Sequence, residues 1–390
     1  MLTHSRLIAL QCHLTGKKYS IDQPIGYAPD SQQPLVAIYD TRTPLSRDIL
    51  KERKHDMWRY REMLPLVDDQ NIITLGEGYT PILDAQKLAE FLNIHHIIIK
   101  DEGNNPTGSF KARGMAMAVS KAKEWGISQF CVPTAGNAGS ALAAYTAKAD
   151  ATAHIFMPEQ TPDVFRMDCQ VMGARVTQVQ GSIRDAGLEM TRSAGYPDWW
   201  DVSTLKEPFR LEGKKTMGYE IAEQLNWKLP DVIIYPTGGG TGLIGIWKAF
   251  HEMLELGWIQ EIPTKMVVVQ IEQCNPVVKA YKNGWDYNEP YDNPGITIAN
   301  GLRVPKAFGD RLIMKAIYES KGTAIDVAEN DILQGIQWAA EKEGLFLSPE
   351  GAAVVMASKK LKESGFITQN ETVLLINTGS PYKYIENLTL

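Results

Sequence analysis

KDEGNNPTGSFKARG, residues 100–114, places a lysine directly after a turn rich in Pro, Gly and Ser. The apolar run 96–100 predicts a buried strand, 104–109 a turn, and 110–125 a helix with Ala and Met periodicity. Lys111 would then lie at a helix N-terminus, where the helix dipole disfavours a second positive charge. Partial burial would lower the pKa of its amine further, toward a reactive neutral form. The pattern indicates a nucleophile, and a solvated surface lysine is the ordinary alternative.

Three further turns follow predicted strands. FCVPTAGNAG (130–139) predicts a strand, a small-residue bend that carries Asn137, and a helix. VIIYPTGGGTGLIG (232–245) repeats this arrangement with a glycine cluster, so that backbone N–H groups and a helix N-terminus converge where a phosphate can bind. VLLINTGS (373–380) is again an apolar strand that ends in hydroxyl groups. A lysine, an amide, an anion loop and a terminal hydroxyl are the groups that pyridoxal phosphate requires.

These motifs, together with SPEGA at 348–352, resemble the fold-type II pyridoxal-phosphate enzymes and are most similar to the threonine synthases. The resemblance extends from about Thr74 to Tyr384. It implies a two-lobed α/β fold like that of the tryptophan synthase β subunit, with parallel sheets flanked by helices. It also implies the cofactor pyridoxal 5'-phosphate and a small amino-acid substrate.

The resemblance assigns roles to individual residues. Lys111 carries the cofactor as a Schiff base and removes the Cα proton, Asn137 binds the ring oxygen, and Thr378 faces the ring nitrogen. The cofactor phosphate is bound by the residues of the glycine loop, which are Gly238, Gly239, Gly240, Thr241 and Gly242. A neutral hydroxyl at the ring nitrogen favours elimination and replacement over transamination, because the ring then withdraws electrons less strongly.

The implied reaction is the conversion of O-phospho-L-homoserine and water to L-threonine and phosphate, by a carbon–oxygen lyase. The alternative is a threonine or serine ammonia-lyase, or another β-elimination or replacement enzyme on the same fold. The small-residue turn that carries Asn137 is the expected site of the substrate α-carboxylate. Its binding residues would be Thr134, Ala135, Gly136 and Ala138. A plain helix cap is the structural alternative for this turn.

A synthase must also bind the phosphate of its substrate, which requires cationic or hydroxyl groups. Arg166 is the best candidate in the sequence, and Arg113, Lys214 and Lys215 are the others. The C-terminal motif departs from the family, because Pro381 and Tyr382 stand where a small Gly-containing turn is usual. This altered turn keeps the ammonia-lyase alternative open.

A dinucleotide site is a competing interpretation of the glycine loop. Residues 240–245 read G-x-G-x-x-G between a predicted strand and helix, and the strand at 266–271 ends at Glu272. The pattern is loose when it stands alone, and a dinucleotide enzyme has no use for Lys111 or Asn137. Glycines that serve only a tight turn and close packing are the structural alternative.

Composition favours a compact enzyme, because 390 residues with 44% hydrophobic side chains suffice for two packed lobes. The net charge of −6 disfavours nucleic acid or an anionic membrane as the partner. No apolar run approaches the roughly 20 residues of a membrane span, and the sequence of residues 1–6 does not begin a signal peptide. We therefore expect a cytoplasmic protein, and the family resemblance implies a homodimer. The four scattered cysteines indicate neither disulfides nor a metal site.

The chain is predicted to have two parts. Residues 1–73 include a segment, 10–40, that resembles the zinc-ribbon-like module of some threonine synthases but has one cysteine where a ribbon needs four. We predict a metal-free β unit there, followed by a linking helix over 51–64. Residues 74–390 are predicted to form the catalytic domain.

Within this catalytic domain strands alternate with amphipathic helices, which predicts parallel sheets. The smaller lobe is expected at about 107–192, and the larger lobe takes the remainder. The family resemblance implies these lobe boundaries, since pattern alone does not place the crossing points.

Overall fold

In the computed structural model, residues 5–388 are described, and their helices and strands build α/β layers around three sheets. The contacts divide the chain into two units. Unit 1 contains the described residues up to Tyr79 together with Asn105–Met217. Unit 2 contains Thr80–Asn104 and the described chain from Gly218 onward. The domain boundaries predicted from the sequence stay a prediction. Residues 1–4 of the first predicted domain and 389–390 of the second lie outside the described residues.

Unit 1 has two sheets. The first is a small antiparallel sheet near the N-terminus, in which the first strand lies between the other two. The second is a parallel sheet in which the strand that leads to Asn137 is central. The strands of unit 1 are Leu7–Cys12, Lys18–Tyr19, Leu35–Tyr39, Gln129–Pro133, Thr152–Pro158, Arg175–Val179 and Trp200–Asp201.

Unit 2 is built on one six-stranded sheet. Its strands are parallel except for the edge strand Ile82–Asp84, which pairs antiparallel with His96–Asp101. Its interior strands are mainly apolar, as expected where helices cover both faces of a parallel sheet. Residues of the strand Val232–Pro236, for example, are all buried. The strands in sheet order are Thr323–Val327, Lys265–Ile271, Val232–Pro236, Thr372–Asn377, His96–Asp101 and Ile82–Asp84.

Helices connect these strands, as the alternating sequence pattern predicts. The α-helices of unit 1 are Lys111–Glu124, Asn137–Lys148, Asp163–Val171 and Ile183–Arg192. Those of unit 2 are Gln86–Leu92, Thr241–Glu255, Pro276–Lys282, Asp310–Glu319, Glu329–Glu343 and Pro349–Glu363. The helix Phe209–Gln224 contributes residues to both units.

The linking helix predicted over residues 51–64 is wrong. The segment instead contains a short 3-10 helix, Met57–Met63, with non-helical backbone at Tyr60. The side chain of Arg59 donates hydrogen bonds to the carbonyls of Leu50, Arg53 and Lys54, and so holds the preceding chain in a loop. These side-chain bonds to backbone replace the carbonyl bonds that an α-helix would need.

Two properties of the described residues bear on the function classes considered above. None of the helices described here is long and apolar enough to cross a membrane. Across the same part of the chain, no group of three or more His, Cys, Asp or Glu side chains is arranged to hold a metal ion.

Candidate active site

Lys111 is the first residue of its helix, as predicted. The strand His96–Asp101 leads to two short 3-10 turns, and the backbone at Thr107 has a positive φ of 60°. This turn aims the chain so that the helix begins at Lys111. The lysine amine lies 3.8 Å from the centroid of the Phe110 ring. A cation or a neutral amine in that position is partly shielded from solvent by the ring.

The helix that begins at Lys111 crosses the first half of the helix Phe209–Gln224 closely, because both have glycine at the crossing. A Cβ on Gly213 would collide with the carbonyl of Arg113, and a Cβ on Gly114 would come within 3.0 Å of the Arg210 carbonyl. Only a residue without a side chain permits such an approach. The crossing places the stem of Lys214 against the helix that begins at Lys111.

Asn137 begins the helix Asn137–Lys148, directly after the turn that the sequence predicts. Gly136 has a φ of 138°, and a Cβ there would come within 2.9 Å of the Phe165 ring. The hydroxyl oxygen of Thr134 accepts hydrogen bonds from the N–H groups of Gly136 and Gly139, at 3.0 and 3.3 Å. Thr134 thus fixes the turn from within, so that the Gly136 N–H is already engaged in it.

Three hydroxyl groups of unit 1 that sequence reasoning missed lie in or beside these two motifs. Among the described residues, the side-chain oxygens of Thr107, Ser109 and Ser140 are buried and make no hydrogen bond in the structure. Two of them precede Lys111, and Ser140 lies in the first turn of the helix that begins at Asn137. Buried polar atoms of this kind are expected to bind a polar ligand, since leaving them unsatisfied costs free energy. The signal in the sequence was the Thr-Gly-Ser of the turn itself.

In unit 2 the glycine loop and Thr378 lie at one edge of the sheet. The strands Val232–Pro236 and Thr372–Asn377 are adjacent and parallel, with Ile234 paired to Leu375. The loop follows the first strand and Thr378 follows the second, so both lie at the carboxyl ends. The helix Thr241–Glu255 begins at the end of the loop, where its first N–H groups and its dipole favour an anion.

The glycines of this loop are also required by the packing of unit 2. A Cβ on Gly238 would collide with the carbonyl of Gly301, and a Cβ on Gly242 would collide with the Tyr235 hydroxyl. Gly240 has a φ of 74°, in the left-handed region, and a Cβ there would collide with Ile313. Close packing therefore accounts for the small residues, and the phosphate role of the loop rests on its helix N-terminus.

Asn377 anchors the strand end that carries Thr378. Its amide nitrogen donates to Asp101 at 2.7 Å, and its oxygen accepts from the Ser348 hydroxyl at 3.0 Å. A Cβ on Gly351 would collide with the same side chain, which explains the glycine of the Ser-Pro-Glu-Gly motif. The motif thus fixes the backbone before Thr378.

The cations proposed for a substrate phosphate have different environments. Arg166 lies on the helix Asp163–Val171, and its guanidinium binds the carboxylate of Asp163 at 2.7 Å. Lys215 is buried, binds Glu212 at 2.7 Å and donates to the Met63 carbonyl at 2.7 Å. The guanidinium of Arg113 is buried and donates to the Thr216 hydroxyl at 2.9 Å. Each of the three already has a partner within unit 1.

Arg210 is the cation that sequence reasoning missed. Its side chain is buried, and one terminal nitrogen donates to the Val202 carbonyl. Among the described residues, its Nε and second terminal nitrogen are buried and have no hydrogen-bond partner. Burial lowers the pKa of the Arg210 guanidinium, and the nearby carboxyls of Glu207 and Asp201 act against this. Two buried donors on one planar cation match the geometry of a phosphate or carboxylate.

The family comparison decides between the cofactor and dinucleotide interpretations. Residues 73–379 match the family model described as "Pyridoxal-phosphate dependent enzyme". The chain belongs to this family. It is therefore a pyridoxal-phosphate-dependent enzyme that acts on a small molecule, and the dinucleotide interpretation of the glycine loop is not needed.

Curated relatives of this chain are threonine synthases. The threonine synthase of Methanocaldococcus jannaschii is 36% identical over 377 residues, which are 96% of this chain and 92% of that protein. The threonine synthase of Methanosarcina acetivorans is 36% identical over 372 residues, which are 95% of this chain and 91% of that protein. The similarity thus includes nearly the whole length of both proteins, N-terminal segment included.

Solved structures share the fold at low sequence identity. The processed form of threonine deaminase isoform 2 from Solanum lycopersicum has a TM-score of 0.68 at 21% identity, over 89% of this chain and 94% of that chain. Maize serine racemase has a TM-score of 0.66 at 19% identity, over 79% of this chain and 93% of that chain. The predicted fold is confirmed: this is an α/β fold-type II pyridoxal-phosphate enzyme.

The described residues fit the cofactor that the family requires. Unit 1, taken by itself, has a lysine at a helix N-terminus and the buried hydroxyls of Thr107, Ser109 and Ser140. Unit 2, taken by itself, has a helix N-terminus after a glycine loop, and Thr378 follows the neighbouring strand. A primary amine and an anion site are the kinds of group that pyridoxal phosphate needs.

Proposed function

We propose that this chain is a threonine synthase, which converts O-phospho-L-homoserine and water to L-threonine and phosphate. Relatives of that name are 36% identical over at least 95% of this chain. Such coverage extends through both units, so the similarity is not confined to a shared cofactor motif. The enzyme would be a carbon–oxygen lyase.

The residues that would hold the cofactor come from four motifs. Lys111 would bond it covalently, Asn137 would donate a hydrogen bond to the ring oxygen, and Thr378 would face the ring nitrogen. The phosphate would be bound by Gly238, Gly239, Gly240, Thr241 and Gly242. When bound, pyridoxal phosphate supplies an electron-withdrawing ring that stabilises negative charge on the substrate carbons.

The chain itself supplies proton transfer and orientation. Lys111 would act as the base that takes the proton from the substrate Cα. The turn Thr134–Ala138 would bind the α-carboxylate, through N–H groups other than that of Gly136. The hydroxyls of Ser109 and Ser140 are further donors for the bound molecules, because both are buried and have hydrogen-bonding capacity left.

The proposed substrate class depends on the two buried guanidinium nitrogens of Arg210 that have no hydrogen-bond partner among the described residues. An ammonia-lyase has no substrate phosphate to bind, whereas a synthase needs a second anion site. The two buried donors of Arg210, which have no hydrogen-bond partner among the described residues, would supply such a site in unit 1. Arg166, the candidate from the sequence, is partly exposed and neutralised by Asp163. We therefore assign the substrate phosphate to Arg210 in place of Arg166.

Three substrates offered separately test the proposal. Purified protein with bound cofactor is supplied with O-phosphohomoserine, threonine or serine, and phosphate, threonine and 2-oxo acid are measured. We expect phosphate and threonine in equal amounts from O-phosphohomoserine. Rapid 2-oxobutyrate formation from threonine, without phosphate release from O-phosphohomoserine, would contradict the synthase and favour the ammonia-lyase.

A matched pair of arginine variants tests the phosphate site. Arg210→Met should lower kcat/KM for O-phosphohomoserine by about 100-fold or more, because hydrogen bonds to charged groups contribute about 1.5–3 kcal/mol each. Slow threonine deamination, which involves no substrate phosphate, should change far less. Arg166→Met is the control and should change both rates little. Equal losses in both reactions would assign Arg210 to the fold and not to the phosphate.

We propose further that the enzyme is a homodimer in the cytoplasm. The dimer is what the resemblance to threonine synthases implies, and the cytoplasm follows from the sequence patterns. Sedimentation equilibrium on the purified enzyme tests the first statement, and fractionation of cells that express the chain tests the second. A monomer at micromolar concentration would contradict the dimer.

A further inference from the structure

Glu350, in the Ser-Pro-Glu-Gly motif, has no role in the proposed function so far. It lies in the first turn of the helix Pro349–Glu363, where a carboxylate ordinarily complements the helix dipole. Glu350 is only 4% exposed, however, and the hydroxyl of Ser348 already caps this helix. A buried carboxylate that does not cap its own helix is expected to bind other groups.

The carboxylate of Glu350 binds a short turn from a distant part of unit 2. Its Oε1 atom accepts hydrogen bonds from the N–H of Gly301, at 2.9 Å, and from the hydroxyl of Tyr384, at 3.1 Å. Gly301 is the middle residue of the 3-10 turn Asn300–Leu302 and is itself exposed. Its position therefore depends on its neighbours in the turn and on the hydrogen bond to Glu350.

The carbonyl of Gly301 contacts the glycine loop. A Cβ on Gly238 would lie 2.2 Å from this carbonyl oxygen, so the two backbones pack directly against each other. A Cβ on Gly301 would in turn lie 2.8 Å from the Oε1 atom of Glu350. Both contacts require glycine. The backbone of Gly301 thus lies between a buried carboxylate and the first residue of the loop.

We propose that Glu350 is a positioning residue for the cofactor-phosphate site: through the N–H of Gly301 it holds the turn Asn300–Leu302 against Gly238, and so sets the backbone of the loop Gly238–Gly242. The proposal rests on the proposed role of this loop in binding the cofactor phosphate. Backbone N–H groups bind an anion well only when several of them point at the same place, so a small displacement of the loop weakens the site. The role requires a hydrogen-bond acceptor at position 350 and not a negative charge.

Two aldehydes that differ only in the phosphate test the proposal. The full-length protein is freed of cofactor and titrated with pyridoxal phosphate or with pyridoxal, which lacks the phosphate group. The absorbance of the C=N bond gives a dissociation constant for each aldehyde. The ratio of the pyridoxal constant to the pyridoxal phosphate constant measures what the phosphate contributes to binding.

The variants separate the bond to Gly301 from its surroundings. Glu350→Leu removes the acceptor, whereas Glu350→Gln keeps it. Tyr384→Phe is the matched control, because it removes only the other hydrogen bond to the same oxygen. Gly301→Ala disturbs the contact with Glu350 from its other side.

We expect Glu350→Leu to bind pyridoxal phosphate about tenfold more weakly and pyridoxal within about twofold of the wild type, because the displaced loop affects only the phosphate. Glu350→Gln offers Gly301 the same acceptor and should keep the wild-type ratio. Tyr384→Phe should also keep this ratio. Gly301→Ala should lower it as Glu350→Leu does.

The outcomes separate this inference from the proposed function. An equal loss for both aldehydes in Glu350→Leu, or a wild-type ratio in that variant, overturns the positioning role. So does a loss in Glu350→Gln as large as that in Glu350→Leu. Circular dichroism checks the fold, and Gly301→Ala decides in the same way if Glu350→Leu does not fold. If the wild type binds both aldehydes equally, the phosphate role of the loop itself fails, and the role of Glu350 fails with it.

Discussion

The single residue on which the proposed chemistry depends is Lys111. We expect the purified protein to be yellow and borohydride to fix the cofactor to the Lys111 peptide, which peptide mass analysis would show. Lys111→Ala should retain cofactor through its phosphate but lose turnover by about 1000-fold or more, because the anchor and the base are removed together. Lys123→Ala is the control and should keep both the adduct and the activity.

Glu207 is a buried carboxyl whose titration should be visible in stability. It accepts hydrogen bonds from the N–H groups of Phe209 and Arg210, at 2.7 and 3.0 Å. Burial raises the pKa of Glu207 to about 7, although Arg210 and these hydrogen bonds act against the rise. In the unfolded chain the carboxyl ionises near its ordinary value of 4.5. The native state therefore holds a proton between these values that the unfolded state has lost.

The sign of the effect follows from this difference. Because the unfolded state binds fewer protons in this window, the contribution of Glu207 is fully present below about pH 4.5 and falls until about pH 7. Glu207→Gln does not titrate. Between about pH 4.5 and 7, the free energy of unfolding of this variant, measured in urea on the cofactor-free protein, should therefore fall by roughly 2–3 kcal/mol less than that of the wild type. Glu159→Gln, at an exposed position, is the control. Parallel stability curves for wild type and Glu207→Gln would contradict the raised pKa.

Residues differ in how far the sequence predicts them. Lys111 was placed correctly because a strand, a turn and a helix that are contiguous in the chain determine its position. Arg210 was missed because its burial depends on a helix crossing between segments about 100 residues apart, which no local pattern shows. The available signal was a helix with charged residues on every face, which is unusual for a surface helix.

At the scale of elements, the glycine loop can be tested by comparing two glycines with positive φ. Gly240 has a φ of 74° and would meet Ile313, whereas Gly257 has a φ of 70° and nothing within 4 Å. Gly257→Ala should cost about 1 kcal/mol, the penalty of the backbone conformation alone. Gly240→Ala should cost about 1–3 kcal/mol more, because overpacking adds to it. Urea unfolding measures both.

The same pair separates packing from cofactor binding. If the loop binds the cofactor phosphate, Gly240→Ala should also release cofactor faster in dialysis, and Gly257→Ala should not. Unchanged retention in Gly240→Ala, together with the stability loss, would mean that these glycines serve packing alone. The phosphate would then have to bind elsewhere in the enzyme.

Elements with strong periodicity were predicted well, and the irregular segment was not. The strands and helices around the three turns follow from apolar runs and glycine clusters that are local in sequence. Residues 51–64 have charged and aromatic side chains that suit a helix by composition. Their conformation is decided by arginine side chains that bind backbone carbonyls, including the bonds of Arg59 to Leu50 and Arg53. Such side-chain contacts leave no periodic signal.

At the scale of the whole molecule, the chain passes between the two units after Tyr79, after Asn104 and after Met217. The sequence could not place these points, because helices and strands alternate in the same way on both sides of each. The six-stranded sheet likewise joins strands that are far apart in the chain, since Thr372–Asn377 lies between His96–Asp101 and Val232–Pro236. Long-range contacts of this kind are a property of the folded molecule.

Unit 2 contains a buried ion pair that joins such distant segments. The amine of Lys100 lies 2.9 Å from the Glu220 carboxylate and 2.8 Å from the Gln224 amide oxygen, and it donates to the Thr80 carbonyl at 2.7 Å. Both charged side chains are 0% exposed. A buried pair with satisfied hydrogen bonds contributes little net stability, but a single buried charge is strongly unfavourable.

A double-mutant cycle should show this asymmetry. Lys100→Met should lower the free energy of unfolding by about 3–5 kcal/mol, because the carboxylate of Glu220 is left buried without its partner. Adding Glu220→Leu removes that charge and should recover most of the loss, since an apolar pair of similar volume replaces the ion pair. Urea unfolding of the wild type, both single variants and the double variant gives the coupling free energy. Additive losses in the double variant would mean that the two side chains stabilise the unit independently, despite their 2.9 Å contact.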